Sequence, residues 1–185
     1  MESKEMKKLS KFISLVLRHS PSSIHIILDK NGWASVEDLI KNANHYGQIR
    51  LTPKILKQIV ETNDKKRFSF NEDYSKIRAN QGHSIPIDLG YTPTLPPAVL
   101  YHGTAEKYVQ NILQQGLCKM DRHHVHLSID IETAIKVGQR HGKPIVFEVA
   151  SDKMHVDNHV FYKSENGVWL TMHIPSKYLK IIDLI

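Results

Sequence analysis

The 185-residue sequence has a single cysteine, Cys118. One thiol cannot form an internal disulfide framework or a multi-cysteine zinc site, so both are excluded. No apolar run approaches the ~20 residues a helix needs to span a bilayer. The opening stretch MESKEMKKLSK has neither the apolar core nor the cleavage site of a secretory leader. The expectation is a soluble, cytoplasmic protein in a reducing compartment. No G-x-G-x-x-G occurs, so nothing supports a Rossmann mode of dinucleotide binding. No internal repeat or low-complexity tract is present. Arginine is scarce, with 6 residues against 19 lysines.

The rest of the composition is that of a packed protein. Hydrophobic residues make up 41% and charged residues 24%, which suits a globular chain. The length allows one domain or two small ones. The net charge of +6 is modest but unevenly placed. Met1–Thr94 holds 15 Lys and Arg against 10 Asp and Glu; Leu95–Ile185 holds 10 against 9. A surplus of this size is compatible with an ordinary solvated surface. Its concentration in the front half also suits a polyanionic partner met there.

Proline marks the division. The segment Ile85–Pro97, IPIDLGYTPTLPP, holds four of the 8 prolines. Proline lacks a backbone donor and fixes its own φ, so neither a helix nor a central strand should cross it. The expected organisation is a domain over 1–84, a semi-rigid extended linker over 85–97 and a second domain over 98–185.

In the front half, Leu9, Phe12, Ile13 and Val16 recur at helical spacing, predicting a helix that ends near Arg18-His19, before Pro21. Ser35 with Asp38 three residues on predicts the start of a second helix. Thr52 followed by Pro53 predicts the start of a third. RFSF and SKIRA, separated by NEDY, read as a β-hairpin. Three helices and a hairpin form a winged-helix-like order, a pattern often used to bind nucleic acid. In the back half VLYHGT, HVHLSI, PIVFEVA, VFYKSENGVWLTM and YLKIIDLI read as strands or hairpins. Thr104 is expected to cap a helix that stops at Gly116, and DIETAIKVGQRHG to form a helix ending at Gly142. The fold class is α+β. Cys118, beside Leu117, is expected to be a small buried hydrophobe.

Gripping a phosphate at two points needs the planar fork of arginine. Arg18 precedes His19 at the end of the first helix, Arg67 opens RFSF, Arg78 begins RANQGHS and Arg122 precedes HHVHLS. Taken singly, each suits a surface position. His124-x-His126 on a strand could chelate a metal, but no cysteine or second ligand pair accompanies it, so no metal site is expected.

Together the motifs carry more. SKFISLVLRHSP, DKNGWASVEDLI, NDKKRFSF, IRANQGHSI, YHGT and RHHVHLS resemble, in order and over nearly the whole chain, the NAD-dependent RNA (tRNA) 2′-phosphotransferases. The resemblance implies two lobes, an N-terminal winged-helix-like RNA lobe and a C-terminal ADP-ribosyltransferase-like NAD-binding lobe. It implies transfer of an internal RNA 2′-phosphate to NAD through an RNA-2′-phospho-ADP-ribose intermediate. The products are 2′-hydroxyl RNA, nicotinamide and ADP-ribose 1″,2″-cyclic phosphate. NAD is a co-substrate, and the RNA partner is a tRNA splice junction or similar. No metal, membrane or oligomer is required.

By the same resemblance Arg18, His19, Arg67 and Arg122 form the catalytic set. Several arginines would offset repulsion as a dianionic phosphate approaches its acceptor, and His19 would donate or shuttle a proton. His102, Gly103 and Thr104 match the family's NAD-contacting triplet, with Gly103 letting the cofactor approach the backbone. Ser128 is expected to contact the NAD nucleotide or ribose. His126 falls on either side of the core boundary. Arg78, Gln81 and His83 are candidate RNA contacts, with Gly82 turning the backbone between them. Two rival readings remain: an ADP-ribosyltransferase acting on terminal nucleic-acid phosphates, and a non-enzymatic winged-helix RNA-binding protein.

Overall fold

The computed structural model describes residues 3–63 and 65–182. The chain forms two compact units, Met1–Gly90 and Tyr91–Ile185. Both mix helices with small antiparallel sheets. Among the described residues, no helix is long and apolar enough to cross a membrane.

In the first unit α1 (Ser3–Arg18) turns Leu9, Ile13, Val16 and Leu17 into the core. A short 3-10 turn, Pro21–Ile24, follows. β1 (Ala34–Ser35) leads into α2 (Val36–His45), where the Ser35 hydroxyl accepts the Asp38 N–H at 3.1 Å. α3 (Pro53–Glu61) starts in the same way, with the Thr52 hydroxyl accepting the Ile55 N–H at 3.2 Å. β2 (Phe68–Phe70) and β3 (Lys76–Ala79) form the predicted hairpin, and β1 joins the other edge in the order β1-β3-β2. Ile77 on β3 stands opposite both Ala34 and Phe70 and is fully buried.

The second unit comprises β4 (Leu100–Ala105), α4 (Val109–Gln115), β5 (Leu117–Cys118), β6 (Val125–Leu127), α5 (Ile131–Gly138), β7 (Pro144–Val149), α6 (Ser151–Val156), β8 (Phe161–Lys163), β9 (Trp169–Thr171), β10 (His173–Ile174) and β11 (Leu179–Ile182). They pair as β11-β7-β4, β6-β9-β8 and β10-β5. Two backbone hydrogen bonds between Tyr101 and Ser128 tie β4 to the start of the loop after β6. Leu100, Phe147, Met154, Phe161 and Trp169 lie in a single buried cluster.

Several local expectations are corrected. Thr104 does not cap a helix. It lies within β4, opposite Ile145 in the β4–β7 ladder, and α4 begins later, after a 3-10 turn at Glu106–Tyr108. α5 stops at Gly138, not Gly142. After Gln139, whose N–H still bonds to Ile135, the N–H groups of Arg140 and His141 bond three residues back and tighten the chain out of the α-helix. α6 has no counterpart in the sequence reading. Cys118 is exposed, because Leu117 takes the buried face of the short β5. The end of the predicted terminal strand, residues 183–185, lies outside the described residues.

The proline-rich segment is bonded to the units it joins. The Asp88 N–H donates to the Lys30 carbonyl at 2.8 Å, and the Asn31 side-chain amide donates to the Asp88 carbonyl at 2.7 Å. Further on, the Thr94 N–H donates to the Phe161 carbonyl at 2.8 Å, and the Ser151 hydroxyl to the Pro97 carbonyl at 2.7 Å.

Candidate functional site

In the first unit the chemistry gathers at the C-terminal end of α1. Arg18 is its last residue, half-buried, with Nε and Nη2 shielded from solvent. His19 follows and is exposed. Ser84, from RANQGHS, closes over both. Its N–H donates to the Arg18 carbonyl at 3.0 Å, satisfying one of the acceptors that a helix end leaves open. Its hydroxyl lies 2.9 Å from His19 Nδ1 and so sets the imidazole's orientation.

Arg67, just before β2, is framed from two sides. Its Nη1 donates to Asn63 Oδ1 at 3.1 Å, and the Asn63 amide donates to the Ser10 hydroxyl of α1 at 3.3 Å. Asn80 holds the adjoining backbone, donating its N–H to the Arg67 carbonyl at 2.9 Å. Its side-chain amide donates to the Lys66 carbonyl at 2.8 Å. His19 and Arg67 face the same open groove of about 970 Å³, lined by α1, α3 and the loop after α3.

The RNA candidates divide. Arg78 lays its guanidinium over Trp33, 4.6 Å from the ring centroid, a cation–π contact that fixes its plane. Gln81 is half-buried. Gly82 has a φ of 85°, the left-handed conformation expected of the sharp turn. His83 is only 1% exposed, so it supports the loop from inside and presents no open face to an RNA strand.

In the second unit the candidates meet where β4 adjoins β6. His102 is half-buried, and its Nδ1 lies 3.0 Å from the His126 carbonyl. A carbonyl only accepts, so Nδ1 carries the proton and Nε2 is an acceptor in the neutral ring. Burial holds the His102 pKa below the usual histidine range, and the positive Arg122 pushes the same way against the opposing carbonyl bond. Arg122 Nη1 lies 2.9 Å from His126 Nδ1, so the arginine donates and the His126 ring accepts there. His126 is thus half-buried and polar in function, linking Arg122 to His102 through its ring and its carbonyl. Ser128 is half-buried beside them.

A neutral imidazole offering an acceptor beside a serine suits a hydroxyl-rich ligand such as a ribose. The two other members of the triplet contribute differently. Thr104 is only 7% exposed. A Cβ on Gly103 would fall 1.7 Å from the Ala134 carbonyl oxygen of α5. The glycine is therefore required by strand–helix packing, whatever approaches its other side. His124, whose pKa is lowered mainly by burial, packs against Tyr162 and Tyr91 at ring distances of 5.4 and 6.0 Å. Among the described residues no group of three or more His, Cys, Asp or Glu side chains could hold a metal ion.

The sequence reading passed over Ser84, Asn63, Trp33 and the role of His126. Ser84 and Asn63 stand inside the quoted motifs RANQGHS and NDKKRFSF, and polar residues flanking a functional arginine or histidine were the available signal. Trp33 carried none, because its partner Arg78 is 45 residues away in the chain.

Comparison with known proteins gives one result. The family model described as RNA 2′-phosphotransferase, Tpt1/KptA family, matches residues 4–173. A protein of Flavobacterium johnsoniae is 53% identical over 94% of this chain and 95% of its own length. Proteins of Fusobacterium nucleatum (52% identical; 94% of this chain, 97% of its own) and Acaryochloris marina (50%; 97% and 98%) are similar to the same extent. All three are named "probable RNA 2′-phosphotransferase". With the family model matched over residues 4–173 and relatives at this identity over nearly the whole length, the chain belongs to the RNA 2′-phosphotransferase (Tpt1/KptA) family.

Proposed function

We propose that this protein removes an internal 2′-monophosphate from RNA by transferring it to NAD, leaving a 2′-hydroxyl and releasing nicotinamide and ADP-ribose 1″,2″-cyclic phosphate. The observation that carries this reading is the frame around His19 and Arg67. Two side chains suited to a phosphate face one groove, each engaged by a neighbouring polar side chain, in a chain related throughout to proteins named "probable RNA 2′-phosphotransferase".

On this reading Arg18, Arg67 and Arg122 bind and orient the phosphate. Guanidinium groups match its oxygens two at a time and offset the charge that builds up as bonds to phosphorus change. His19 moves the proton. Engagement of Nδ1 by Ser84 assigns that role to Nε2. NAD supplies the electrophilic ribose carbon that accepts the phosphate. His102 and Ser128 hold its hydroxyls, with the His102 ring kept neutral by burial. Gly103 and Thr104 shape the strand beneath. Arg78 and Gln81 meet the RNA, and His83 supports their loop.

The wider organisation follows the same reading. The first unit acts as a winged-helix-like RNA lobe and the second as an ADP-ribosyltransferase-like NAD lobe, with 85–97 as the linker. The protein works in the cytoplasm on 2′-phosphorylated splice junctions or similar RNA, and needs no oligomer.

Incubation with NAD and an oligonucleotide bearing one internal 2′-phosphate tests the proposal. The expected products are the 2′-hydroxyl oligonucleotide and the cyclic phosphate of ADP-ribose. Their absence overturns the proposal. An oligonucleotide phosphorylated only at its end is expected to remain unmodified.

A further inference from the structure

We infer that the groove between α1 and α3 carries the single strand of RNA that flanks the 2′-phosphate, an extended substrate site that rests on the function proposed above. His19 lies at the C-terminal end of the α1 wall, Lys11 and Lys7 continue along that wall, and Arg67 faces the same groove. From His19 back to Lys7 the helix rises ~18 Å, enough to follow several nucleotides beyond the reacting phosphate.

The lining has the positive charge that a phosphate backbone attracts. Lys7 and Lys11 are exposed and one helical turn apart, so their ammonium groups follow a common line. Lys65 stands on the opposite wall. No described lining residue is acidic. Leu15 lies one turn beyond Lys11 in the groove and is 50% exposed, giving the lining an apolar contact beside the lysines. A cationic rim beside an aliphatic patch can take phosphates on the one and base faces on the other, without reading sequence. Lys8 and Lys41 are equally exposed but do not line the groove. They show that the surplus charge of this unit is not all committed to one path, and they supply a matched control.

Three 2′-phosphorylated substrates test the inference: a minimal one with a single nucleotide on each side of the phosphate, and two extended by several nucleotides on the 5′ or the 3′ side. For the unaltered protein, kcat/KM is expected to be higher for one extended substrate than for the minimal one. In a Lys7→Gln/Lys11→Gln double variant that preference should fall about tenfold, chiefly through KM, as expected for two lost phosphate contacts. A Lys8→Gln/Lys41→Gln variant should keep it. Equal preference in the two variants, or no preference in the unaltered protein, overturns the inference while leaving the proposed reaction intact. If the unaltered protein turns over none of the substrates, the reaction itself is refuted. The groove is then decided by fluorescence anisotropy of the extended RNA. About tenfold weaker binding by the groove variant than by the control supports it, and equal binding overturns it.

Discussion

Arg122 is exposed, and its described partner is the His126 ring. Truncating it removes one surface hydrogen bond and no core packing, a change usually worth within about 0.5 kcal/mol. Arg122→Ala is therefore expected to melt within a few degrees of the unaltered protein. Turnover of 2′-phosphorylated RNA should fall at least 100-fold, the scale of losing a charge-stabilising donor. Parallel thermal melts and product assays check both halves. His102 gives a pH dependence. Its folded pKa lies below its unfolded value of about 6.5, so the unfolded chain takes up a proton that the folded chain resists. Stability from this group is present above that value and is lost as pH falls through the folded pKa. The melting temperature should drop between pH 7 and pH 5, and His102→Gln should flatten part of that slope. An unchanged slope in the variant would remove His102 from the account.

At the level of elements, β4 and α5 approach closely because neither brings a side chain to the contact. A Cβ on Gly103 would meet the Ala134 carbonyl, and one on Gly138 would meet the Thr104 carbonyl at 2.5 Å. Both obstacles are backbone and cannot rotate aside. Gly103→Ala is expected to cost about 3 kcal/mol, at the upper end of overpacking, and to lower the melting temperature by roughly 10 °C. A variant that melted normally and lost only NAD affinity would contradict the packing role. Much of the element order was legible in the sequence for physical reasons that act locally. Caps at Ser35 and Thr52, the spacing of Leu9, Ile13 and Val16, and the hairpin around NEDY all depend on near neighbours. The failures depend on distant ones. Thr104 reads as a cap until β7 is seen to pair with it, and Cys118 reads as buried until β10 fixes which face of β5 points inward.

Across the whole molecule, each unit has its own apolar cluster, Leu9 through Ala79 in one and Leu100 through Tyr178 in the other. The basic surplus belongs almost entirely to the front half. If that half meets the RNA, affinity for 2′-phosphorylated RNA should weaken linearly in log[salt] with a slope of about −2 for three neutralised phosphates. NAD affinity should respond much less. A titration series from low to moderate salt, read by anisotropy for RNA and by KM for NAD, distinguishes the two. The candidate site was legible to a similar degree. Arginine scarcity and the ordered motifs singled out the candidate residues, and the structure places His19 and Arg67 in one groove. Ser84 and Trp33 are joined to His19 and Arg78 only after folding brings together stretches far apart in the chain, whereas Asn63 lies four residues from Arg67.

The Ser84 clamp has a consequence for how the protein comes to be active. Its bond to His19 spans 65 residues, so it closes only after α2, α3 and the hairpin have been threaded between the two ends. Closing so large a loop is an entropic cost met late, whereas α1 gains its hydrogen bonds locally and early. The helix bearing Arg18 therefore has local bonds to draw on before the imidazole of His19 can be oriented. Competence to act on phosphate is a property of the completed unit, acquired near the end of its folding.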